Sequence, residues 1–94
     1  MTTVQEILTF LETLAPRYMK MEWDNVGLLC GRPGREVRRI LVALDPFEDV
    51  CREAAEWGAE LLVTHHPLIF QPVRALTDDT SVGRCLLFLA ARDM

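Results

Sequence analysis

Ninety-four residues contain only two histidines, three cysteines and one tyrosine, and most patterns that mark a function are missing. There is no CxxC pair. Cys30, Cys51 and Cys85 stand far apart, so a cysteine-built zinc site is not expected, and free, mostly buried thiols in a reducing compartment are. Basic residues are not in excess: Asp and Glu number 14 against 10 Lys and Arg, for a net charge of −4, which argues against a dedicated nucleic-acid binder. No apolar run approaches the roughly 18–20 residues of a membrane span. Residues 1–15 carry Glu6 and Glu12 without a basic leader segment, so no secretory signal and a cytoplasmic location are expected. GxSxG, P-loop and GxGxxG patterns are also missing.

What is present is an ordinary globular composition, 50% hydrophobic and 26% charged. A chain of this length is one small domain or part of one, and buries roughly 60–65% of the surface it exposes when unfolded. Val4, Ile7, Leu8, Leu11 and Leu14 recur at helical spacing, Thr3 and Glu6 form a capping-box pattern, and Pro16 is the stop, which predicts a helix over 4–15. Trp23 to Gly27 reads as a loop, Val26 to Cys30 as a short strand, and Arg32 to Arg35 as a turn. Ile40 to Leu44 and Leu61 to Thr64 are apolar runs expected to form strands buried on both faces. A helix over 47–57, ended by Gly58, lies between them, and a last helix covers 80–92. Strand, helix and strand in about 25 residues is a βαβ unit with a parallel sheet. The fold class is therefore α/β, a βαβ-containing layered sandwich, and the progression stops before the strand due after its last helix. The exposed sheet edge predicts a marginal or self-associating chain.

Ligands of open parallel sheets bind at the carboxyl ends of the strands. That edge holds Asp45 after the first strand and His65 and His66 after the second. Imidazole and carboxylate suit Zn, Fe, Mn, Co or Ni. Adjacent residues on a straight strand point to opposite faces, but at a strand end before Pro67 both imidazoles can face one pocket. Ordinary hydrogen-bonded histidines are the competing reading. Asp45 is the nearest third donor, and capping the 47–57 helix is the preferred role for it. Thr64 fits a strand or a hydrogen bond to a ligand. Arg32, Arg35, Arg38 and Arg39 read as a solvated turn in preference to a phosphate-facing patch, and Trp23 and Trp57 as core anchors.

Glu22-Trp23-Asp24-Asn25-Val26-Gly27-Leu28, Leu44-Asp45-Pro46, Thr64-His65-His66-Pro67-Leu68-Ile69-Phe70 and Asp79-Thr80-Ser81-Val82-Gly83-Arg84 occur in one order. This order resembles the amino-terminal part of the NIF-three-like family, also called dinuclear metal centre hexameric proteins or GTP cyclohydrolase I type 2 homologues. The resemblance makes residues 1–94 the amino-terminal part of a single α/β domain. It implies a site for two divalent metal ions with His65 and His66 as ligands, a homohexamer, and a metal-dependent hydrolase with a nucleotide-like substrate. The family's further ligands, an Asp shortly past this stretch and a distant His and Glu, have no counterpart among these residues, and Asp93 is not that Asp. Two histidines alone are expected to hold metal weakly and to support little or no turnover. A metal-delivery protein without catalysis, or a non-catalytic structural fragment, are the alternatives. Neither a nucleic acid nor a membrane is expected as a partner.

Overall fold

The computed structural model describes residues 1–15 and 25–94. α1 spans Val4–Leu14. Its start follows the sequence signal: the Thr3 hydroxyl accepts the Glu6 backbone N–H at 3.3 Å and donates to the Glu6 carboxylate at 3.5 Å. The stop expected at Pro16, and Trp23 and Asp24, lie outside the described residues. β1 covers Ile40–Ala43, α2 Glu48–Trp57, β2 Leu61–Thr64 and α3 Ser81–Ala91. β1 and β2 pair in parallel, with Ile40 opposite Leu61 and Ala43 opposite Thr64. The predicted βαβ unit is present, each element within two residues of its expected bounds.

Alternation along the strands puts Leu41, Ala43 and Leu62 on one side of the sheet and Ile40, Val42, Leu61 and Val63 on the other. The first side meets α2 and α3, where Leu41 and Leu62 pack against Cys51, Ala54, Ala59, Cys85 and Leu89. The second side meets α1, where Val4, Ile7 and Leu8 pack with Leu61 and Val63. The result is helix, sheet and helices in three layers. Cys51 and Cys85 are free and buried, and both Sγ atoms approach the Pro46 carbonyl, at 3.9 and 3.7 Å. Burial, first, pushes the Cys51 thiol up to about 12 and raises Cys85 as well, so both stay neutral.

Three expectations are corrected. β1 is not buried on both faces: Val42 is 73% exposed, because α1 covers the β2 row and leaves the neighbouring β1 row open. Val26 to Cys30 forms no strand. Trp57 is half-exposed and lies under the Arg39 guanidinium, 5.5 Å from the ring centre, so it is no core anchor. The arginine turn is solvated as expected, with Arg32, Arg38 and Arg39 exposed, and it also carries an ion pair. Arg32 grips the Asp93 carboxylate through Nε at 2.7 Å and through Nη2, while Arg35 Nε donates to the Asp93 carbonyl at 3.1 Å.

α2 ends at Gly58, whose φ of 83° is left-handed. The Gly58 N–H reaches the Ala55 carbonyl and the Ala59 N–H the Ala54 carbonyl, a Schellman closure. α3 begins where the Thr80 hydroxyl accepts the Gly83 N–H at 3.0 Å. Gly83 is required for a different reason: a Cβ there would come within 1.8 Å of the Thr77 carbonyl oxygen. Gly83→Ala therefore has to displace backbone and is expected to cost more than about 2 kcal/mol, the scale of an overpacked core, read from the urea midpoint. A midpoint within error of the parent would refute that contact.

Glu60, just before β2, accepts the backbone N–H groups of Arg38 and Arg39 at 2.5 and 3.0 Å and so ties the entry of β1 to that of β2. These two bonds hold its carboxyl below the ordinary value of 4.5. The unfolded chain then takes up this proton first as pH falls. The stabilisation is complete above pH 4.5 and is lost as pH drops through the lower folded value. Glu60→Gln should shrink the loss of urea midpoint between pH 7 and pH 3; an unchanged loss would count against it.

Candidate metal centre

Backbone bonds between the two chain segments continue beyond the paired strands: the His65 N–H donates to the Ala43 carbonyl at 3.2 Å and the His66 N–H to the Leu44 carbonyl at 3.0 Å. Counting on from Ala43 opposite Thr64 brings Asp45 opposite His66. The Thr64 hydroxyl donates to the His66 carbonyl at 2.7 Å, which turns the chain at the strand end before Pro67. That answers the open reading of Thr64: its hydroxyl is used within the turn.

The turn decides where the imidazoles go. The ring centres of His65 and His66 are 4.9 Å apart and their planes are inclined by 59°, closer than rings on opposite faces of a sheet would stand. Both residues are exposed. Asp45 joins them: its Oδ1 lies 2.6 Å from His66 Nδ1. A carboxylate only accepts, so Nδ1 is the donor. The capping role expected for Asp45 is not the one observed. The residue ahead of α2 is Phe47, which makes no side-chain cap bond, and Asp45 is two residues too early to reach the first turn's free N–H groups. Its carboxylate is left for His66. The strand register was the signal that finds this contact in a sequence.

Among the described residues, no three His, Cys, Asp or Glu side chains gather to hold a metal ion by themselves. The donors at this edge are the two imidazoles, with Asp45 bonded to one of them. A cleft of about 200 Å³ between α2 and α3, lined by Glu48, Arg52, Asp78, Arg84 and Phe88 among others, includes neither histidine. Also among the described residues, no helix is long and apolar enough to cross a membrane.

One contact draws two distant sequence motifs together beside the histidines. The Asn25 amide donates to the Ile69 carbonyl at 2.7 Å, pinning the segment ahead of Leu28 to the loop after His66. Asn25→Ala leaves that partly buried carbonyl without its donor and is expected to cost about 1 kcal/mol in a urea melt, with no cost if the bond is absent in solution.

The chain is 42% identical over 91 residues, 97% of its length, to a Clostridium perfringens protein named GTP cyclohydrolase 1 type 2 homolog, and 38% identical over all 94 residues to a Streptomyces coelicolor protein of the same name. It spans about a third of the length of these curated relatives, 35% and 33%. A crystal structure of a Bacillus cereus protein related to NIF3 superposes on 99% of the chain, and 26% of its own, with a TM-score of 0.91 at 35% identity. The sequence model of the Duf34/NIF3 (NGG1p interacting factor 3) family matches residues 2–94, and the chain belongs to that family.

Proposed function

We propose that this chain binds divalent metal ions through His65 and His66, as the amino-terminal part of a dinuclear metal-dependent hydrolase that acts on a nucleotide-like substrate. The observation that carries the reading is the pairing of two exposed imidazoles, 4.9 Å apart, at the carboxyl edge of a parallel sheet. Neutral imidazole nitrogens are good ligands for Zn, Fe, Mn, Co and Ni. The name GTP cyclohydrolase 1 type 2 homolog, carried by the curated relatives, supports a purine nucleotide as the substrate class. When bound, such ions supply a water made acidic near neutral pH and a clamp on the reacting group. His65 and His66 hold part of that ligand set. Zinc sites take about three or four protein ligands, so the remainder belongs to the family's further Asp, His and Glu. A homohexamer and a cytoplasmic location go with this reading.

A delivery role without catalysis is the second reading. It is favoured by the small donor set, since two imidazoles hold a metal weakly and release it readily.

Zinc titration of the chain and of His65→Ala and His66→Ala is the test. Each change is expected to weaken binding by more than about tenfold. Unchanged affinity in both variants would end the metal reading. GTP or phosphoester turnover by a complete homologous protein, lost with either histidine, would support the hydrolase. Zinc binding without turnover would support delivery. Light scattering of that complete protein at other than six subunits would remove the hexamer.

A further inference from the structure

We infer that Asp45 is a positioning residue for the metal site: it locks His66 as the Nδ1–H tautomer and leaves Nε2 as the ligand nitrogen. Three observations carry this. First, Asp45 Oδ1 and His66 Nδ1 are 2.6 Å apart, and Asp45 is the more enclosed partner, its side chain 28% exposed against 56% for His66. Second, the two backbones that bear these side chains cannot drift apart freely. The His66 N–H to Leu44 carbonyl bond joins them one residue from the contact. Beyond Asp45, the Pro46 carbonyl faces the buried Cys51 and Cys85 thiols, so the turn into α2 is anchored in the core. Third, the carboxylate has no duty in α2. The Val50 N–H in the first turn is met by Asp49 at 3.0 Å, and Phe47 stands at the cap.

The chemistry follows from the ring. A neutral imidazole has one N–H and one bare nitrogen, and whichever nitrogen donates a hydrogen bond leaves the other to bind a metal. Carboxylates commonly serve metal-binding histidines in this way, fixing the ring's orientation and raising its basicity. His65 has no such carboxylate among the described residues, so the two imidazoles are not equivalent. His66 is held ready, while His65 is oriented by its neighbour ring and by the turn.

The inference rests on the metal reading in one arm of its test and stands without it in the other. Long-range proton–nitrogen NMR of the metal-free chain reads the tautomer directly. His66 is expected as Nδ1–H, shifting toward the tautomer mixture of a free imidazole in Asp45→Ala and recovering in Asp45→Asn, whose amide carbonyl still accepts. A His66 signal unchanged by Asp45→Ala would overturn the proposal whether or not metal binds. Zinc titration is the second arm. Asp45→Ala should weaken affinity by about 10–100-fold at unchanged stoichiometry, with Asp45→Asn closer to the parent. Loss of a bound ion equal to that in His66→Ala would make Asp45 a ligand and overturn the positioning role, as would an unchanged affinity. If the parent chain binds no zinc, the metal reading falls, and the tautomer alone decides for or against Asp45. A circular-dichroism melt checks that each variant folds; should Asp45→Ala unfold, Asp45→Ser removes the carboxylate in its place.

Discussion

The parallel pairing of β1 with β2 is the constraint on which the other features hang. Four residue pairs set the register, and two further backbone bonds tie His65 and His66 to the end of β1. A shift of one residue would move Leu61 and Val63 away from α1 and turn Leu62 out of the α2–α3 layer, undoing both halves of the core at once. The same shift would take Asp45 away from His66. Core and site are therefore specified by one alignment. The crossover through α2 makes that alignment possible, and Glu60 reinforces it from the opposite end by holding the backbone where β1 begins.

The helical layer above the sheet is built from small side chains. Ala54 is fully buried, and among the described residues the largest wholly buried side chains are Cys51 and Cys85. Small residues let α2 and α3 approach closely, and a thiol adds a weak donor that an alanine lacks. Both thiols use it on the Pro46 carbonyl, a group that no helix ladder satisfies at the start of α2. In this fold these two cysteines act as packing atoms. Burial pushes both thiols up, which leaves them poor nucleophiles.

How much of this could be read from the residues alone divides along physical lines. Local signals were legible: Thr3 as a cap, Gly58 as a stop, and the 3.6-residue stripe of α1 each depend on neighbours a few positions away. The parallel sheet was legible because a helix between two apolar strands is the long crossover that a parallel pair needs. The site was legible in part, as a pair of histidines at the edge where parallel sheets bind ligands. Asp45 was not, because an aspartate before a proline fits a helix cap as well as it fits a cross-strand bond, and only the register separates the two. The open face of β1 was hidden for a similar reason. An apolar run reports that side chains avoid water, and does not report which of its rows a particular helix covers. Asn25 and Ile69, 44 residues apart, meet through a tertiary bond that no local pattern encodes.

The grip of Arg32 and Arg35 on Asp93 has a bearing on the order of assembly. It closes a loop of 61 residues, for which the chain-closure entropy is about 4 kcal/mol. An exposed ion pair cannot supply that. The clasp thus forms only after β1, α2, β2 and α3 have already brought the two ends near, and it is a late event in folding. On a ribosome it cannot form until Asp93 has left the exit tunnel, by which time the strands and their crossover are free to pair. The histidine edge is accordingly shaped early, from a contiguous stretch of chain, and the arginine clasp latches a molecule whose strands are already paired.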